Sequence, residues 1–292
     1  MNTFLPITEF VLNNGCKMPS IGIGTFTVKT VESVSTVIDS ALKAGYRLID
    51  TAGVYKNESH IGEILPELLD KNNLQRKDVF ITSKLSPKHL DSEAATAAFY
   101  SSLDKLGLEY IDLYLIHWPG RKGIRTEDPR NYEYRKQAWS SLEKIYLETD
   151  KMKCIGVSNF CTSHLKQLEE YGQVCPAVLQ NELHPDYLSP DLMKYCAEKN
   201  IHFQAYSSLG QGKLVNDERF QCIAEKYQKT IPQVLLRWGL QQKCSVLPKS
   251  VNSNHIRENF NINNFSISND DMDFIKGVGK HQKYAWDPIN VT

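Results

Sequence analysis

Eight short apolar runs, separated by stretches of helical spacing, constrain this chain more tightly than any other feature. The runs are Ser20–Gly24, Tyr46–Asp50, Val79–Lys84, Ile111–His117, Cys154–Ser158, Val178–Glu182, His202–Tyr206 and Ser245–Lys249. Between the earlier ones, Val34, Val37, Ile38, Ala41 and Leu42, then Ile61, Ile64, Leu65, Leu68 and Leu69, recur at the spacing of one helix face. Strand followed by helix, over and over, specifies parallel strands, and no linker or shift of composition splits the series. The expected class is α/β: one (β/α)8 TIM barrel over residues 1–292, in preference to two doubly wound halves. Ahead of the barrel, Asn13-Asn14-Gly15 lies between Phe10–Leu12 and Cys16–Met18, a β-hairpin signal placed to close the barrel's bottom. Pro119–Arg135 has no periodicity and reads as a long loop on one face.

Charge excludes several partners. Lys plus Arg and Asp plus Glu are both 34, which gives no field to steer nucleic acid or an anionic membrane. No apolar stretch approaches the roughly 18 residues of a membrane span, and no basic segment leads into an apolar run at the start. The expected setting is cytoplasmic. Seven scattered cysteines, an odd number with no Cys-x-x-Cys, read as reduced thiols.

In a barrel of this kind the chemistry sits where strands end. The second, third and fourth runs end in Asp50, Lys84 and His117, and Tyr55 follows Asp50 across a loop that Gly53 lets turn. A phenol titrates near ~10, and a desolvated ammonium beside it would lower that value, so Lys84 is expected to acidify Tyr55. Asp50 would hold Lys84 in place and keep it charged, because an unpaired buried ammonium is costly. His117 would orient a carbonyl oxygen. Competing chemistries lack parts: no His-x-His pair opens a metal site, and only Asp50 and Glu182 could serve a glycosidase. A Schiff-base lyase on Lys84 is a real competitor, opposed by the adjacent Asp50.

Around these residues the chain resembles the aldo-keto reductases, in particular the short monomeric type such as diketogluconate reductase, prostaglandin F synthase and aldose reductase. The matching stretches are Gly45–Glu58, Ile81–Lys84, Asp112–Pro119, Gly156–Phe160, Gln180–Glu182, Ala205–Gly210 and Leu247–Ser250. The resemblance implies a monomer that reduces small-molecule carbonyls, with Asp50, Tyr55, Lys84 and His117 catalytic and Tyr55 the general acid. It implies NADPH across the barrel mouth without a Gly-x-Gly-x-x-Gly loop. The ring would stack on Tyr206, with Ser158, Asn159 and Gln180 on its carboxamide. Gly24, Thr25, Phe26 and Asp50, and Ser207, Ser208, Leu209 and Gly210, would also belong to the cofactor site. Lys249, Ser250, Val251, Asn252, His255, Glu258 and Asn259 would take the adenosine end. Phe26, Val54, Trp118, Tyr284 and Trp286 would form an apolar substrate wall. The alternative role is a cofactor-binding barrel with structural or regulatory duty, like a lens crystallin or a channel subunit.

One position departs from the family, which usually carries an arginine where this chain has His255. Arg257 lies about 200° around the helix and cannot replace it. NADPH is therefore expected to be favoured over NADH by a smaller margin than usual, with NADH also accepted. An unperturbed imidazole is charged only below about 6.5, so the preference for NADPH grows as pH falls from about 8 to about 6. Values of kcat/KM for both cofactors at those two pH values test this; a flat, very large ratio would refute it.

Overall fold

The computed structural model describes residues 8–292. β1 (Glu9–Val11) and β2 (Lys17–Pro19) pair antiparallel with Phe10 opposite Met18. After them strands and helices alternate: β3 (Ile23–Gly24), α1 (Val31–Ala44), β4 (Leu48–Asp50), α2 (Glu58–Lys71), β5 (Phe80–Leu85), α3 (Ser92–Leu106), β6 (Ile111–Ile116) and α4 (Arg130–Glu148). β7 (Met152–Ser158), α5 (Thr162–Tyr171), β8 (Val178–Glu182), α6 (Pro190–Glu198) and β9 (His202–Tyr206) continue the rhythm. α7 (Gln221–Tyr227), α8 (Ile231–Gln241), β10 (Ser245–Leu247), α9 (Ser253–Phe260) and α10 (Asn269–Gly277) complete it. β3 to β10 pair in parallel, each with the next. The ends join through Ile21 against Val246, where the Gly22 N–H donates to Val246 O at 2.9 Å and the Gly24 N–H to Pro248 O at 2.9 Å. The barrel expected from the sequence is closed. Among the described residues no helix is long and apolar enough to cross a membrane.

Local chemistry sets the element ends. Thr30 and Ser33 form a reciprocal cap at the start of α1. α1 stops at Gly45, whose φ of +108° suits glycine, and a Cβ there would lie 2.6 Å from the Phe260 ring. Two expectations shift. The hairpin turn is wider than an Asn-Gly pair, because Leu12 and Cys16 close a loop with Gly15 at φ +84°. The stretch from Pro119 is a loop only as far as Pro129: Asp128 accepts from the Arg130 N–H at 3.0 Å, so α4 starts inside the expected loop.

Strand alternation then sorts the side chains. Leu48, Phe80, Leu113, Leu115, Cys154, Val178 and Leu247 face inward and pack with Leu12 and Met18 of the hairpin. Tyr114, Ile116, Ile155 and Val157 face the helices. The hairpin thus plugs the end of the barrel where the strands begin. Counting on by twos from the inward residues reaches Asp50, Lys84 and His117 at the opposite rim. Met18 is fully buried, and Met18→Ala is expected to remove about 2–5 kcal/mol of stability in urea unfolding; a loss below about 1 kcal/mol would show that the plug is not packed as described.

Candidate active site

Lys84 is fully buried at the rim. Its Nζ donates to Asp50 Oδ1 (2.6 Å), Thr51 O (2.9 Å) and Tyr55 Oη (3.3 Å). An ammonium has three hydrogens, and three acceptors surround this one. Nothing remains for it to act as a free amine, which argues against the Schiff-base alternative. The loop between Asp50 and Tyr55 is held by Asn57, which accepts from the Thr51 hydroxyl (2.6 Å) and donates to Thr25 O (3.1 Å) and Val28 O (2.9 Å). Behind Lys84, the buried Glu58 accepts from the Ser83 hydroxyl at 2.6 Å. The sequence assigned no role to Asn57 or Glu58, and only the folded loops show Asn57 tying three segments together.

The electrostatics correct one expectation. Burial, reinforced by the negative charge of Asp50, raises Tyr55 well above the ordinary phenol range. The sequence reading had Lys84 acidify it; the carboxylate cancels much of the cation's pull and desolvation decides the sign. At neutral pH Tyr55 keeps its proton. Burial also pushes Lys84 below the usual lysine range, opposed by Asp50 and Glu58. His117 is held well below the ordinary histidine value by burial and then by the Lys84 charge, so its ring is neutral. Its Nδ1 is buried with no partner among the described residues.

Asp50 also joins the site to the next strands, accepting from Gln180 Nε2 at 2.8 Å through its other oxygen. Ser158 Oγ donates to Gln180 O (2.7 Å), while Asn159 Nδ2 donates to His117 O (2.8 Å) and Ser158 Oγ (3.1 Å). Tyr206 donates to Asn159 Oδ1 at 2.6 Å and leaves its ring half-buried. Asn159 and Ser207 take left-handed backbone, φ +61° and +53°, a strain that clusters at functional rims. Further out, Leu209, Lys249, Ser250, His255, Glu258 and Asn259 line one cleft of about 670 Å3. Asn252 caps α9 there by accepting from the N–H groups of Asn254 and His255, and Val251 is exposed beside it. Arg257 is turned to Asn254. Thr25, by contrast, spends its hydroxyl on Asp50 O (2.9 Å), and Gly24 lets Lys249 approach within 3.4 Å of where a Cβ would stand. Ser208 is buried in the turn that Gly210 closes onto Ser207 O at 2.7 Å.

Aromatic rings continue outward. Phe26 lies 5.1 Å from Tyr55, Tyr55 5.8 Å from His117, His117 6.1 Å from Trp118 and Trp118 4.8 Å from Trp286. Val54 is exposed on the loop beside Tyr55. Tyr284 is engaged elsewhere: it stacks on His184 at 4.9 Å, bonds Asp186 at 2.6 Å and carries Lys213 over its ring. The tail that bears it is secured at its far end by His164 on Val291 O (2.7 Å) and Arg135 on Thr292 O (2.7 Å). Glu182, considered from sequence only as a glycosidase carboxylate, binds this tail, as does Asp186, which the sequence did not single out. Contacts across a hundred residues leave no local signal.

A parallel barrel with these groups at its mouth has a counterpart among known proteins. The chain belongs to the aldo/keto reductase family, whose model matches residues 20–280. It is thereby an NAD(P)-dependent oxidoreductase that reduces carbonyl groups of small molecules. It is 39% identical over 277 residues to a glyoxal reductase of Bacillus subtilis, covering 95% of each chain. A 9,11-endoperoxide prostaglandin H2 reductase of Trypanosoma cruzi is 36% identical over 282 residues, covering 96% of this chain and 94% of that one. An aldo-keto reductase enzyme from a Medee basin deep-sea metagenome library superposes with a TM-score of 0.87 at 36% identity, covering 97% of this chain and 99% of its own.

Burial of imidazoles has a measurable consequence. His164 and His202 are both held down to about 4 by burial, against 6.5 for the free side chain. Between those values the unfolded chain binds protons that the native one refuses, so stability present above 6.5 is lost as pH falls toward about 4. Melting temperatures across that window are expected to fall, and His164→Gln to lessen the fall; a variant with an unchanged slope would contradict the assignment.

Proposed function

We propose that this protein reduces aldehydes and ketones to alcohols with NADPH, Tyr55 delivering the proton, and works in the cytoplasm as a single-domain monomer. The arrangement around the Tyr55 oxygen carries this reading. That oxygen accepts from Lys84, so its own hydrogen is left for another acceptor, and His117 and Phe26 flank the same hydroxyl-bearing ring.

The donor set suits a dinucleotide. Gln180 uses both amide hydrogens on Asp50 and Gln204, which leaves its carbonyl oxygen for an incoming amide. Ser158, Asn159, Gln180 and the half-buried Tyr206 ring would hold the nicotinamide, and the Lys249 cleft with the amino end of α9 would hold the adenosine phosphate. Lys249 and Ser250 favour the phosphorylated cofactor, with His255 in place of a permanent cation. When bound, the reduced nicotinamide supplies the hydride that adds to the carbonyl carbon.

The protein's part is proton and charge management. Neutral His117 donates an N–H to the carbonyl oxygen and holds it beside Tyr55. As negative charge builds on that oxygen, the Tyr55 O–H bond breaks and the alcohol O–H forms. A raised phenol pKa does not prevent this, because a forming alkoxide is a much stronger base than a phenolate. Lys84 then stabilises the phenolate, and Asp50 balances Lys84. The mouth favours neutral, apolar substrates: Phe26 is 61% exposed there, and Lys84 and Lys283 are paired to Asp50 and Glu182.

The test is NADPH oxidation with an aromatic aldehyde. Tyr55→Phe is expected to lower kcat/KM by about 10²- to 10⁴-fold while NADPH affinity, read by its fluorescence, is retained. A variant keeping more than about a tenth of the activity would overturn the assignment of the proton donor.

A further inference from the structure

Residues 280–285 lie outside any helix or strand, so their backbone groups need partners from elsewhere. Two carboxylates supply them. Glu182, the last residue of β8, accepts from the N–H groups of Tyr284 (2.7 Å) and Ala285 (3.1 Å), from Lys283 Nζ (2.8 Å) and from His184 Nε2 (2.9 Å). Asp186 accepts from the Lys280 N–H (2.9 Å), the Tyr284 hydroxyl (2.6 Å) and Arg219 (2.8 Å), while its own carbonyl takes the Gln282 N–H at 2.6 Å. Both side chains are wholly removed from solvent. Burial would raise both carboxyls, but these donors outweigh it and hold each down to about 2.

We infer that Glu182 and Asp186 are positioning residues which clamp the tail so that Trp286 stands as a wall of the mouth, selecting carbonyl substrates with a large flat apolar body. The inference rests on the reading of the mouth as a carbonyl-reducing site. Trp286 directly follows the clamped residues, and its indole meets Trp118 edge to face at 4.8 Å while Trp118 lies against His117. Trp286 remains 49% exposed. A side chain that wet is not fixed by its own burial; it is placed by the backbone before it. Burying two carboxylates is costly unless they are saturated with donors, and here most of those donors come from the short stretch that carries the indole.

The experiment compares 2-naphthaldehyde with propanal in NADPH-dependent reduction, and reads 2-naphthaldehyde binding separately by quenching of tryptophan emission. Glu182→Gln is expected to raise KM for 2-naphthaldehyde about tenfold, to move KM for propanal less than about twofold, and to leave kcat for both within about twofold. Trp286→Ala should match its effect on 2-naphthaldehyde, and the double variant should be no worse than Trp286→Ala alone, since no indole remains to be placed. Tyr284→Phe keeps the ring on His184 and removes only the bond to Asp186; a shift of about threefold in the same sense covers the case in which Glu182→Gln fails to fold. Equal rises of KM for both aldehydes, or additive losses in the double variant, would assign the clamp to stability alone and overturn the inference. Wild type that binds 2-naphthaldehyde without turning over either aldehyde would instead sink the carbonyl-reducing reading, and the quenching series would still decide whether the clamp sets affinity.

Discussion

The ion pair between Lys84 and Asp50 governs the rim of this barrel. Both groups are removed from water, and breaking such a pair by deleting one partner typically costs about 3–5 kcal/mol. The pair is also a junction. Lys84 reaches Tyr55 and the Thr51 carbonyl, while Asp50 reaches across to Gln180. The proton-bearing residue and the amide cluster on β7 and β8 are thereby referred to one fixed point, and neither can drift without the other. The near-neutral pair also explains the state of Tyr55: with its charge balanced, Lys84 is an anchor and a store of stabilisation for a later phenolate, and it does not strip the phenol in the resting site.

Most of the barrel was legible in the chain because its strands obey a local rule. Val178–Glu182 and His202–Tyr206 have the bounds read from sequence, and the others differ by one to three residues at an end, β10 stopping before Pro248. Asp50, Lys84 and His117 were legible for the same reason: strand ends are marked, and alternation says which face they take. What escaped was non-local. Asn57 bridges loops whose approach depends on the closed barrel, the first turn of α4 depends on Asp128, and Tyr284 belongs to a clamp written from residues a hundred positions away. The sign of the Tyr55 shift escaped too, because a cation's proximity could be guessed but not the combined weight of burial and a carboxylate.

The mouth divides its labour between rigid and applied parts. Asp50, Lys84 and Gln180 stand on strands and His117 directly follows one, where the sheet fixes them, and Tyr55 sits in a short loop tied down by Lys84 and Asn57. The aromatic rim is carried by loops and the tail: Phe26 after β3, Trp118 after β6, and Trp286 on a segment with no backbone ladder of its own. Such a design lets the rim vary while the ion pair and its neighbours stay put, which accords with relatives named for substrates as different as glyoxal and a prostaglandin endoperoxide.

The hairpin at the other end has a consequence for recognition. Leu12 and Met18 pack among Leu48, Phe80 and Val178, so among the described residues that end of the cylinder is filled with apolar side chains, and Tyr55 stands at the opposite rim. The burden of recognising a ligand therefore falls on the loops and the tail at the opposite rim, while the far end is free to serve packing alone.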